Sequence, residues 1–197
     1  MKEITKAEMQ AILTLVKSPE IDYNANNLAK SIKLTSMGAL KILKRLEKES
    51  ILKSKKIGKA SIYKIRTDDN YAKKYVSLII SREALHASPK IKRWINELNK
   101  IKNADNIILF GSILDKEEPN DIDALFVTDK KRFSKLQKEI DEINKINIKK
   151  IHPVYQTEHD IIENIKKRHK PILNAIKGII IKGEENFIEV YNESRKE

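Results

Sequence analysis

The strongest constraint on this chain is a break in its apolar patterning. A compact run, Asn106-Ile107-Ile108-Leu109-Phe110, stops at Gly111-Ser112; after an acidic loop containing Pro119, a second run, Ala124 to Val127, is led by Asp121-Ile122-Asp123. Short apolar runs bounded by turn signals read as buried strands. Two carboxylates two residues apart on a strand point to the same face. Like charges held so close need a counter-ion, so Asp121 and Asp123 can hold Mg²⁺ between themselves and a bound triphosphate. Gly111 lets the backbone approach a phosphate with no Cβ in the way, and the Ser112 hydroxyl with nearby amides can bind terminal phosphates.

This order of Phe-Gly-Ser, eight residues and Asp-x-Asp resembles the polymerase-beta-like nucleotidyltransferases, particularly minimal ones that stand alone or follow a winged helix. The resemblance implies attack of a hydroxyl on the α-phosphate of a nucleoside triphosphate, with Asp121 and Asp123 as catalytic metal ligands and Gly111 and Ser112 at the nucleotide. Active members add a third carboxylate from a later strand. The strand expected there, Ile148 to Gln156, holds no acid, and His152 is its one metal-capable side chain. A single histidine before a proline is more often packed or surface-lying than a ligand. Glu158 and Asp160 follow, but Thr157 with Asp160 three residues on is the signature of a helix cap. The basic-aromatic patch common after Gly-Ser is replaced by Ile113-Leu114-Asp115. The stretch from Ile151-His152-Pro153 to Ile181-Lys182-Gly183 resembles the tail of winged-helix-linked members, in which the third acid is commonly absent. Transfer activity therefore does not follow from the motif.

The remaining charge is uneven. Of the formal +12, residues 1–87 contribute +9, with 18 Lys/Arg against 9 Asp/Glu. An excess of that size attracts a polyanion through counterion release. Within this part, Thr5 and Glu8 cap a helix over Ile4 to Val16, Asn26 to Ile32 forms a short second helix, and Thr35 caps a third through Lys48. Ala39, Leu40, Leu43 and Leu46 face inward, leaving Ser36, Met37, Gly38, Lys41, Lys44 and Arg45 outward. Ile51-Leu52 and Ser61 to Ile65 read as two short strands around a basic loop from Lys53 to Ala60. Together these resemble the winged-helix domains of transcription regulators of the MarR and ArsR type, with Ser50 where those families commonly have a glycine. The resemblance implies double-stranded DNA as partner, with Ser36 and Met37 near base edges and Lys41, Lys44, Arg45, Lys55, Lys56 and Lys59 on the DNA.

An amphipathic stretch from Asp68 to Ala87 joins or dimerises the module, and Ser88-Pro89 marks a boundary. The expected domains are residues 1–87, a winged helix with connector, and residues 88–197, a nucleotidyltransferase-like domain with a small mixed sheet covered by helices; the class is α+β. In the second, helices are expected over Lys90 to Lys102 (with Trp94 in the core), Lys130 to Ile146, Ile161 to Lys170, Pro171 to Lys177 and Glu184 to Glu193, with a strand over Ile179 to Lys182. With no cysteine and no apolar run near the roughly 18 residues of a membrane span, a cytoplasmic protein with no membrane partner is expected. The leading expectation is a DNA-binding regulator, as a homodimer on a two-fold operator, whose second domain binds nucleotide and Mg²⁺. The alternative is an active nucleotidyltransferase acting on a protein, RNA or small molecule, of the kind found in toxin systems.

Overall fold

In the computed structural model, which describes residues 3–196, the chain is a mixed α+β protein that divides into two compact units. The first runs to Ile79 and the second from Ile80 to Lys196. The division falls inside the helix α4 (Asn70–Leu85).

The first unit opens with α1 (Lys6–Lys17), begun by a closed capping box: the Glu8 N–H donates to Thr5 Oγ1 at 3.2 Å and the Thr5 N–H to the Glu8 carboxylate at 2.9 Å. Each bond satisfies a donor that a bare helix start would strand. Asn24 caps α2 (Ala25–Ser31), and Thr35 caps α3 (Ser36–Lys48), accepting from the Gly38 N–H at 3.0 Å. Ala11, Ile12 and Leu15 of α1, Leu28 and Ala29 of α2, and Ala39, Leu43 and Leu46 of α3 are buried. Leu40, expected with them, is half-buried.

The end of α3 explains Ser50. The Ile51 N–H reaches Leu46 O at 2.9 Å and the Ser50 N–H reaches Glu47 O at 3.0 Å, the two bonds of a Schellman close, which needs a left-handed residue between helix and exit. Ser50 takes that conformation at φ 61, as Lys33 and Arg168 do after α2 and a later helix, at φ 56 and 54.

β1 (Leu52–Ile57) and β2 (Ala60–Ile65) pair antiparallel, from Leu52↔Ile65 to Ile57↔Ala60. The loop expected from Lys53 to Ala60 is thus mostly strand, turned at Gly58 (φ 58). Only the base of this hairpin is buried, at Leu52, Tyr63 and Ile65; Lys53 to Ile57 are all exposed, so no alternation of apolar and polar residues announces the strand.

In the second unit, α5 (Pro89–Leu98) precedes a four-stranded sheet of order β5-β4-β3-β6. β3 (Asn106–Leu109) lies antiparallel to β4 (Ile122–Val127) and to β6 (Ile179–Lys182), while β4 lies parallel to β5 (Ile151–Gln156). The parallel pair is joined through α6 (Phe133–Ile146), and one 3₁₀ turn, Gly111–Leu114, follows β3. Trp94, Leu98, Leu136 and Ile140 pack with Ile107, Leu109, Ala124 and Phe126. Ile108, Leu125 and Ile180, which alternation turns to the other face, are buried as well; burial on both faces is why these strands read as unbroken apolar runs.

Several bounds are tighter than expected. α5 ends at Leu98, α6 starts at Phe133 and β5 starts at Ile151, with Ile148 exposed before it. Thr157 caps α7 (Glu158–Lys166) earlier than the apolar pattern suggests, α8 (Lys170–Ala175) is short, and α9 (Glu184–Ser194) closes the unit. β5 is an edge strand and carries Pro153, where a missing N–H is tolerated. Among the described residues, no helix is long and apolar enough to cross a membrane.

Candidate metal centre and basic surface

The parallel register of β4 and β5 sets Asp123 opposite His152. Asp121 lies just before β4 and shares the parity of Asp123, so both carboxylates and the imidazole come to one place. One ligand atom from each of Asp121, Asp123 and His152 lies within 4.8 Å of the others, and His152 Nδ1 is 3.2 Å from Asp123 Oδ1. Asp123 is half-buried while His152 is 69% exposed. The cluster therefore has a protein side and a solvent side, which leaves room for water or phosphate oxygens around a cation.

The turn after β3 is built against this cluster. The Phe110 N–H donates to Asp123 O at 3.0 Å, and Gly111 follows at φ 76. A Cβ at Gly111 would lie 2.1 Å from Asp123 Oδ2. Glycine is required here twice over, by its left-handed backbone and by the carboxylate that occupies the side-chain position. Ser112 sits half-exposed in the same turn. The three groups fit a single divalent cation; oxygen and imidazole donors are both ordinary ligands for one.

Glu158 and Asp160 stay outside the cluster. Thr157 Oγ1 donates to Asp160 Oδ2 at 2.6 Å, and this bond, with the Thr157 N–H, lowers the Asp160 pKa. His152, in sequence the one metal-capable side chain of its strand but of a kind more often packed or surface-lying than ligating, is brought into the cluster by the fold. Its signal was latent in the strand pattern, because only a parallel β4–β5 pairing in this register makes it a neighbour of Asp123.

On the first unit, Ser36 and exposed Met37 occupy the first turn of α3, and Lys41 and Lys44 are exposed further along it. Lys44 pairs with Glu47 at 2.8 Å, which raises its pKa and keeps it cationic. Lys55, Lys56 and Lys59 are exposed on the hairpin. Lys44 and Lys59 line one cleft of about 260 Å³ with Asn26 and Tyr63, so helix and hairpin tip contribute cations to the same surface. Arg45 departs from the expected outward set. It binds Glu8 at 2.5 Å and Glu49 at 3.0 Å, and Glu8 is 2% exposed. A buried carboxylate needs a charged partner, and Arg45 is turned to supply it.

A family model described as "Family of unknown function (DUF6932)" matches residues 43–197. No curated protein matches. Among solved structures, a mutant of ZitR from Lactococcus lactis is similar at a TM-score of 0.35 and 16% identity, over 51% of this chain and 64% of that one, less than two thirds of its length. MepR, a transcription regulator of the Staphylococcus aureus multidrug efflux pump MepA, is similar at 0.35 and 15%, over 50% of this chain and 77% of that one. Likeness at this level does not establish a common fold.

Proposed function

The chain belongs to a family whose description assigns no activity, so we propose a function from its two surfaces: a DNA-binding regulator whose second unit binds a nucleotide and a divalent cation. One observation carries the DNA half. Lys44 of the capped helix α3 and Lys59 of the hairpin line a single cleft, with Lys41, Lys55 and Lys56 exposed on the same two elements. A helix and a hairpin presenting cations together suit a duplex, the helix in the major groove and the hairpin along the backbone. Lysines without a fixed fork geometry mainly hold phosphates, while Ser36 and Met37 would meet base edges. Exposed Tyr71 and Leu78, seven residues apart on α4, are apolar positions that a second copy would cover on a two-fold site.

The test is duplex binding by fluorescence anisotropy across a salt series. Affinity is expected to fall steeply with salt, and changing Lys41, Lys44, Lys55 and Lys56 to Ala to lower the slope by about 0.9 for each phosphate that is no longer neutralised. Binding that ignores both salt and these lysines would refute the reading.

A second reading is favoured by the Asp121–Asp123–His152 cluster: a nucleotidyltransferase in which His152 stands where the third carboxylate is expected. Asp121, Asp123 and His152 would hold the cation, whose chemistry is to neutralise phosphate charge and acidify a bound hydroxyl. Gly111 admits phosphate close to the backbone, and Ser112 would bind its oxygens. Labelled nucleoside triphosphate incubated with protein and candidate acceptors separates the two readings. Label transfer lost in Asp121→Ala/Asp123→Ala supports the enzyme, and binding without transfer supports the regulator.

A further inference from the structure

We propose that Asp121, Asp123 and His152 form a mixed oxygen-and-nitrogen cation site that selects Mn²⁺, Co²⁺ or Zn²⁺ over Mg²⁺. The inference rests on reading the two aspartates as cation ligands, and it does not depend on the nucleotide.

The argument is one of donor chemistry and placement. Mg²⁺ demands a near-octahedral oxygen shell and gives up water reluctantly, so replacing an oxygen donor by imidazole weakens its hold. Imidazole suits the later first-row ions, whose affinity for nitrogen-containing sites rises along the series from Mn²⁺ to Cu²⁺. Here the nitrogen donor is held on the strand beside the carboxylates. Asp123 and His152 are paired in the β4–β5 ladder, and Nδ1 lies 3.2 Å from Asp123 Oδ1. All three donors fall within 4.8 Å of one another; one ion about 2.1 Å from each ligand spans about 4.2 Å at most, so a small turn of the exposed imidazole closes the set around it. Gly111 keeps the inner side of Asp123 clear of a side chain, since a Cβ would collide with Oδ2. The exposed imidazole leaves the outer coordination positions to solvent or substrate oxygens, the open arrangement of a catalytic ion rather than a closed structural one.

The experiment uses the full chain without nucleotide. Co²⁺ binding is followed by its visible d–d absorption and Mn²⁺ binding by EPR, each in competition with Mg²⁺. The wild type is expected to bind Co²⁺ and Mn²⁺ about tenfold or more tightly than Mg²⁺, and His152→Ala to lose about tenfold for Co²⁺ with little change for Mg²⁺. His152→Asp, which restores an all-oxygen set, is expected to shift the preference toward Mg²⁺. Because His152 is exposed, His152→Ala should leave the thermal melt followed by circular dichroism unchanged. A Co²⁺ spectrum and ion preference unchanged in His152→Ala, with binding lost in Asp123→Ala, would overturn the choice of ion and leave the aspartate site standing. If none of the ions binds the wild type, both fall.

Discussion

Gly111 lies so close to Asp123 that a Cβ would sit 2.1 Å from its Oδ2. Gly111→Ala must therefore displace the carboxylate and also hold alanine at φ 76. The expected cost is about 2 kcal/mol or more in a denaturant melt, together with loss of cation binding. An unchanged melt with unchanged cation affinity would show that the turn relaxes freely.

Arg45 and Glu8 make a second close relationship, at 2.5 Å, with Glu8 buried. Arg45→Met leaves that carboxylate without its cationic partner, held only by the Thr5 N–H and hydroxyl, and a fall of several degrees in melting temperature is expected. Adding Glu8→Gln should recover part of it, because the two changes remove one interaction. Duplex affinity of the folded Arg45→Met protein should change far less than its melting temperature, the reverse of what a DNA-contacting arginine would give.

Ser50 holds a left-handed backbone at φ 61 at the close of α3. Glycine adopts that conformation without the Cβ penalty, so Ser50→Gly is expected to stabilise the protein by about 1 kcal/mol. Thermal unfolding reads it directly. A lower melting temperature would mean that the serine hydroxyl contributes more than its backbone costs.

Asp160 provides a pH signature. Its hydrogen bonds from Thr157 lower its pKa below the ordinary 3.8, so its contribution is present above pH 3.8 and is lost as pH falls through the lower folded value. Stability measured from neutral pH down to about 2 should fall less steeply below pH 4 in Asp160→Asn than in the wild type. Parallel curves would assign the acid loss to other carboxylates.

Capping and burial were the legible parts of this fold. Thr5 with Glu8, Thr35, and Thr157 with Asp160 mark helix starts because a short polar side chain has only local backbone donors to satisfy, and such pairings are written in consecutive residues. Trp94 is legible from its helical spacing with Ile91 and Leu98 on α5, and the strands around Gly111 because burial on both faces leaves an unbroken apolar run. The hairpin is legible in its second strand, Ser61 to Ile65, but not in the length of its first, since a strand from Lys53 to Ile57 without a buried face has no period to detect. Arg45 was misread for a related reason: spacing on α3 gives its direction approximately, but the partner that turns it, Glu8, lies on another helix. His152 needed still more, the pairing of two strands whose facing residues are 29 positions apart.

Pro153 bears on how the molecule behaves among its own copies. It sits on the outermost strand, next to His152 and opposite Ala124. A proline there has no N–H to offer, so the free rim of the sheet lacks a donor at its centre and is a poor template for another molecule's strand. Protection against edge-to-edge aggregation is thus placed beside the one imidazole that must stay open to solvent. At high concentration, the rim bearing His152 resists being sealed by a neighbour.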